Sequence, residues 1–310
     1  MTSAIVFPGM GPCDFRDVAK FMLVNPYARE LLGAASDALD YDLFDHYRDS
    51  ASDYSEYAQV AFLVNCLALA RWAERALDLR PDLIAGPSFG GKAAAVHSGA
   101  LDFAAAVRLT AQLSRIETEY FAREQRGVVT MSFVRTPEER LAELLAELDE
   151  AGEWYEISCY VDTDFWMLSL HEGRTDWLAQ RLRAVGALPL YVMDPPLHAS
   201  TFRPLRERVE AELFGSLDLT DPDVPVIADQ DGTVRDTAAG VRAMLLDGIH
   251  RPVRWPSVVE TFQRFGVRTV HVCGPDRLWG RVGATTRNFE TTIVDPRRAL
   301  RPVRRAAVAA

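Results

Sequence analysis

Asp82-Leu83-Ile84-Ala85-Gly86-Pro87-Ser88-Phe89-Gly90-Gly91-Lys92-Ala93-Ala94-Ala95 changes character at its middle. The apolar run between Pro81 and Gly86 reads as a buried strand, and the Ala-rich run after Gly90 reads as a helix, with one serine at the joint. This is the pattern of a nucleophile elbow. Glycines two positions either side of Ser88 are expected where side chains would collide with the neighbouring strand and the helix start. The helix would aim its free N–H groups and positive dipole end at the serine oxygen, where an oxyanion is stabilised. A plain Gly/Ser turn before a helix fits the same five residues, so the chemistry needs partners from elsewhere in the chain.

The composition is that of a globular chain of 310 residues, 48% hydrophobic and 25% charged. That length suits one large domain with a smaller one inserted. A formal net charge of −10 argues against non-specific nucleic-acid binding. Five arginines between Arg297 and Arg305 read as a solvated terminus or a docking patch. Cys13, Cys66, Cys159 and Cys273 are scattered without a CxxC pair, so neither a disulfide framework nor a zinc site is expected, and a cytoplasmic, reducing setting is. Met1–Pro8 lacks the layout of a signal peptide. The apolar run Val60–Ala70 is interrupted by Asn65, stopped by Arg71 and too short to span a membrane.

Ahead of the elbow, Ala4–Phe7 reads as a strand and Pro8-Gly9-Met10-Gly11 as a glycine loop of the kind that approaches ligands at strand ends. Helices are expected over 15–25, 26–38 and 57–77, with a polar stretch over 40–57, and Asp102 caps a long helix over 103–125. From Gly127 the pattern becomes strand 128–134, helix 136–151 capped by Thr136, strands 155–161 and 165–170, helix 176–185 and strand 188–192. That βαββαβ order is ferredoxin-like. The fold class is therefore α/β: a large α/β-hydrolase-like domain with a parallel sheet (1–126 and 195–310) carrying an inserted ferredoxin-like subdomain (127–194). The large domain resumes at Pro195-Pro196-Leu197-His198, and His198 is the one histidine of six held in a rigid loop before a helix. It is the candidate base, although a histidine simply filling a cap position reads the same way. A helix over 238–246 and the extended segment Arg251–Trp255 follow.

Phe7-Pro8-Gly9-Met10-Gly11, Gly86-Pro87-Ser88-Phe89-Gly90, Leu197-His198, Arg251-Pro252-Val253-Arg254-Trp255 and Gly274-Pro275, in that order, resemble the motifs of the malonyl-CoA:acyl-carrier-protein transacylases and polyketide-synthase acyltransferases. The resemblance implies an acyl-serine mechanism in which Ser88 attacks a thioester and His198 shuttles the proton. It places the oxyanion hole at the N–H groups of Met10 and Phe89, and the carbonyl that orients the histidine at Gly248. It implies no metal and no redox cofactor; the acyl group would arrive on the phosphopantetheine arm of an acyl carrier protein.

Carboxyacyl-transferring members of the family carry an arginine that grips the malonyl carboxylate, and alignment of Val107–Leu113 puts Leu113 there. An apolar group at that place disfavours malonyl. Together with Pro87 and Met10 in place of the family's polar residues, and Gly9 beside them, Leu113 marks a reshaped acyl pocket. These departures are similar to the discrete acyltransferases of macrolactam polyketide pathways, the vicenistatin type, which move aminoacyl or dipeptidyl starters from a donor to an acceptor carrier protein. Carrier proteins are acidic, so cationic groups are expected at the cleft mouth, with Arg135 and Arg281 as candidates beside a reading as scattered surface arginines. A malonyl-type trans-acting acyltransferase, a carrier-protein thioester hydrolase and a silent docking protein are the alternatives.

Overall fold

The computed structural model describes residues 2–50 and 52–301. Eleven strands are described: β1 (Ser3–Val6), β2 (Leu83–Ala85), β3 (Val128–Val134), β4 (Tyr155–Asp162), β5 (Phe165–His171), β6 (Leu188–Met193), β7 (Val226–Ile227), β8 (Val234–Arg235), β9 (Val253–Arg254), β10 (Thr269–Cys273) and β11 (Glu290–Val294). They form two sheets. The first has the order β11-β10-β1-β2-β7-β8, parallel throughout except for β8, which runs antiparallel to β7. The second has the order β6-β3-β5-β4-β9.

Side-chain alternation along the first sheet decides what each face covers. Ile5, Phe7, Ile84 and Val226 point into a core shared with helices Glu56–Leu77 and Phe103–Arg123. Ala4, Val6, Leu83, Ala85 and Ile227 point the other way, onto helix Trp255–Arg264 and onto Cys159, Val161, Phe165 and Met167 of the second sheet. On the far face of that second sheet Trp166, Leu168 and Leu170 pack against helices Glu138–Glu150 and Thr175–Ala184. The two sheets therefore share one apolar seam, and the site lies beside it.

Within 127–194 the strands and helices follow the βαββαβ order, and the sheet order of β3 to β6 is the ferredoxin-like one. The unit is not closed on its own, because β9 adds a parallel fifth strand beside β4, pairing Cys159 with Val253 and Tyr160 with Arg254. Thr136 does not cap the helix expected after it. Pro137 occupies the cap position, and the Thr136 N–H donates instead to the Asp164 carbonyl at 3.1 Å. The polar stretch over 40–57 contains a helix, Leu43–Asp49, started by the Asp42 carboxylate accepting from the Asp45 N–H at 2.9 Å. Helix Ala238–His250 runs one turn beyond the expected end at 246, which alters the placement of Gly248. Among the expected tail arginines, Arg297 and Arg298 lie on the short helix Pro296–Ala299, while Arg304 and Arg305 fall outside the described residues.

Candidate active site

Ser88 sits at the C-terminal end of β2 with φ of 56°, the left-handed conformation that an elbow requires and that costs a non-glycine residue on the order of 1 kcal/mol. The flanking glycines are needed for space. A Cβ at Gly86 would stand 2.1 Å from the Gly90 carbonyl oxygen, and one at Gly90 would stand 2.1 Å from the Phe7 carbonyl oxygen. The elbow is thus locked against the end of β1. In contrast, a Cβ on Gly11 would meet nothing within 4 Å, so the second glycine of the first loop is not sterically required.

The Ser88 hydroxyl lies 2.7 Å from His198 Nε2. His198 also has a left-handed backbone, with φ of 66°, and its N–H donates to the Ile249 carbonyl at 2.9 Å. Burial holds its imidazole down to about 4, so the ring is neutral and able to accept a proton at physiological pH. The carbonyls of Arg251 and then Gly248 oppose that shift. Both face the ring as acceptors, although Nδ1 has no partner at full hydrogen-bond geometry among the described residues. The Gly248 carbonyl, expected to orient the ring, thus acts on it together with the Arg251 carbonyl. Gly248 lies in the last turn of helix Ala238–His250, so its carbonyl is one of several unpaired groups at the negative end of that helix.

Two further groups hold the pair, and neither was singled out from the sequence. The Ser88 N–H donates to Asp229 Oδ2 at 2.6 Å, and burial pushes that carboxyl up to about 7. Asp229 follows the short strand β7, beside the elbow in space and 141 residues away in the chain. Glu156 of β4 accepts from the Ser200 N–H at 2.6 Å, from the Ser200 hydroxyl at 3.0 Å and from the Thr201 N–H at 3.2 Å. A side chain of the second sheet thereby clamps the histidine loop. The N–H groups of Met10 and Phe89 donate to nothing among the described residues, and both residues line the same cavity as Ser88.

That cavity has a volume of about 430 Å³ and opens between the two sheets, with Gly9, Met10, Ser88, Leu113 and His198 on one side and Thr130, Ser158, Met167 and Tyr191 on the other. Leu113 is buried in its wall, as expected. Pro87 is not in the wall: its carbonyl faces inward, accepting from the Gly90 N–H at 3.1 Å, so its assignment to the acyl pocket is withdrawn. Arg135 and Arg281 are exposed and neither lines the cavity; Arg135 follows the end of β3 remote from Thr130. Arg277 does line it, and is paired with Asp17 at 2.8 Å. Lys92 and Glu117, buried in the wall, were also missed. Helical spacing could have found Glu117, four residues after Leu113 on the same helix.

The family model described as the VinK acyltransferase small domain matches residues 132–193. The malonyl CoA-acyl carrier protein transacylase of Salmonella typhimurium is 27% identical over 296 residues, covering 93% of each chain. That of Bacillus subtilis strain 168 is 26% identical over 303 residues, covering 94% of this chain and 93% of its own. The malonyl CoA-acyl carrier protein transacylase structure from Coxiella burnetii superimposes with a TM-score of 0.83 at 26% identity over 96% of each chain. A type II polyketide malonyl-transacylase solved with its acyl-carrier protein gives 0.84 at 23% identity, covering 96% of this chain and 98% of that one. The fold is that of the malonyl-CoA:acyl-carrier-protein transacylases. The two-sheet division is thus shared along nearly the whole chain.

Proposed function

We propose that this chain is an acyltransferase that moves a non-carboxylated, amine-bearing acyl group between acyl carrier proteins through an ester on Ser88. The observation that carries the reading is the 2.7 Å contact between the Ser88 hydroxyl and a neutral, buried imidazole, in a cavity lined by two residues whose N–H groups donate to nothing among the described residues. Relatives that are carrier-protein transacylases over 93% of this chain support the transfer to and from a carrier.

In the first half-reaction the Ser88 oxygen attacks the thioester carbon while its proton passes to His198 Nε2. The carbonyl oxygen becomes an oxyanion facing the Met10 and Phe89 N–H groups; preorganised donors of this kind contribute about 3 kcal/mol each. The C–S bond then breaks, and the proton on Nε2 goes to the departing phosphopantetheine sulfur. In the second half a new carrier thiol gives its proton to Nε2, its sulfur forms the C–S bond, and the C–O bond to Ser88 breaks with return of the proton to Oγ. Atoms balance without a cofactor. The tautomer this needs carries hydrogen on Nδ1, on the side where the Arg251 and Gly248 carbonyls favour positive charge. As the ring takes the proton, those dipoles stabilise it.

Leu113 in the cavity wall supports an acyl group without a terminal carboxylate. A malonyl-type reading has its own support, because the relatives are malonyl transacylases and a cation, Lys92, also lines the cavity. The deciding experiment gives the protein a panel of malonyl, acetyl, isovaleryl and β-aminobutyryl groups on one carrier protein with a second, empty carrier present. Appearance of β-aminobutyryl on the second carrier, with malonyl the slowest donor, supports the proposal. Faster malonyl transfer overturns the acyl class, and free acid without transfer indicates a hydrolase.

A further inference from the structure

Lys92 and Glu117 are 9% and 4% exposed, and both line the cavity that holds Ser88. They lie on different helices, Gly90–His97 and Phe103–Arg123, with their charged ends too far apart for an ion-pair contact. The two charges are not equally provided for. The Lys92 ammonium stands over the Phe89 ring, 4.2 Å from its centroid, an arrangement that recovers part of a buried cation's lost hydration. The Glu117 carboxylate has no such support. Gln59, the amide beside it, spends its N–H donors on the Tyr54 carbonyl at 3.2 Å and the Ser114 hydroxyl at 3.1 Å. Among the described residues Gln59 is the one side chain whose hydrogen bonding favours the Glu117 carboxylate, and with its N–H groups shared in this way the carboxylate keeps acceptor capacity to spare, which is costly in a buried anion.

Position strengthens the point. Glu117 is one helical turn, about 6 Å, from Leu113 on the face that also carries Leu109 into the cavity. The wall therefore offers an apolar stretch followed by a carboxyl that lines the cavity. Burial pushes the Glu117 carboxyl up and the Lys92 ammonium down, and the attraction between the two opposes both shifts. Lys92 is thus the cation whose field reaches Glu117.

We infer that Glu117 determines specificity in the acyl pocket by receiving a protonated amine carried on the acyl group, with Lys92 as the more distant cation that helps keep the carboxylate ionised. An incoming ammonium supplies the donors the carboxylate lacks. A carboxylated acyl group would instead bring a second anion into the same wall, with one lysine to answer both. The inference rests on reading this cavity as the acyl site of Ser88 chemistry and names the residue that selects within it.

The test compares β-aminobutyryl with isovaleryl on the same carrier protein, two acyl groups of nearly one shape that differ by an ammonium in place of a methyl. Acylation of Ser88 is followed by intact mass. The wild-type protein is expected to prefer β-aminobutyryl by about tenfold or more, and Glu117→Gln to reduce that ratio by about tenfold or more, the size of one charge-assisted hydrogen bond. The wild-type comparison alone decides the matter if the variant does not fold. A wild-type preference for isovaleryl, or an unchanged ratio in folded Glu117→Gln, overturns the inference while leaving acyl transfer standing. So does malonyl loading that outpaces both and disappears in Lys92→Met, which would make Lys92 a carboxylate anchor. If neither thioester acylates Ser88, the proposed function fails and the inference falls with it.

Discussion

The cavity has two walls built on different principles. The reacting wall is made by backbone: two left-handed residues, two glycines with no room for a Cβ, two free N–H groups and the end of a helix. The part of the lining proposed to hold the acyl group is made by side chains, Leu109, Leu113 and Glu117 from one helix and Lys92 from another. The first tolerates almost no change, because every atom in it is placed by main-chain geometry. The second can be rewritten residue by residue without disturbing the elbow. On the proposed function, chemistry and choice of substrate are separable here, and each can be attacked alone.

The largest effect is expected on the reacting wall. Gly90→Ala forces a methyl to within 2.1 Å of the Phe7 carbonyl oxygen and should destabilise the fold by about 3 kcal/mol or more, measured by urea unfolding. Gly11→Ala, with open space around it, should fall within about 0.5 kcal/mol of the parent. Equal costs at the two positions would mean that the elbow is not locked to β1. On the acyl wall, Leu113→Arg should leave the elbow folded and raise malonyl relative to isovaleryl transfer by about tenfold, the value of one guanidinium–carboxylate contact. No change in that ratio would place the acyl group elsewhere in the cavity.

Much of the reacting wall was legible in the sequence because its determinants are local. Gly86, Ser88 and Gly90 lie within five residues, and the conformational demand on each follows from the turn they make. The proposed acyl lining depends on which helix faces which, so spacing within one helix does not show that Lys92 and Glu117 line the same cavity. Asp229 was illegible for the same reason: its partner Ser88 is brought to it by the pairing of β2 with β7. The late strands β8 and β11 were also missed, β8 being two residues long and β11 alternating weakly at the sheet edge. The helix expected to stop at 246 continues to His250, so Gly248 lies in its last turn and not in a loop.

Smaller effects probe how the walls are joined. Glu156→Gln keeps an acceptor but loses the charge that ties the histidine loop to the second sheet, and should lower kcat by about three- to tenfold with KM little altered. A change in KM alone would separate the clamp from the chemistry. The pH dependence tests the base. Because burial holds His198 near 4 against an ordinary value of 6.5, kcat/KM should stay flat on acidification until about pH 5 and fall with an inflection near 4. Stability should change less than either group alone implies. Below 6.5 the unfolded chain takes up a proton that folded His198 refuses, so this group's contribution falls as pH drops towards 4. Asp229 acts oppositely, since its carboxyl holds its proton up to about 7 in the fold against 3.8 otherwise, so its contribution falls as pH rises through that range. An activity inflection at 6.5 would mean that the imidazole is hydrated in the working enzyme.

The central claim is that the Ser88 oxygen carries the acyl group between two thiols. It is tested most directly by mixing the protein with β-aminobutyryl-carrier protein, quenching within one turnover and mapping the added mass by proteolysis. The account predicts the acyl group on the peptide containing Ser88, its absence in Ser88→Ala, and its removal when empty carrier protein is added. Acyl transfer that persists in Ser88→Ala, or an adduct on any other residue, would contradict it.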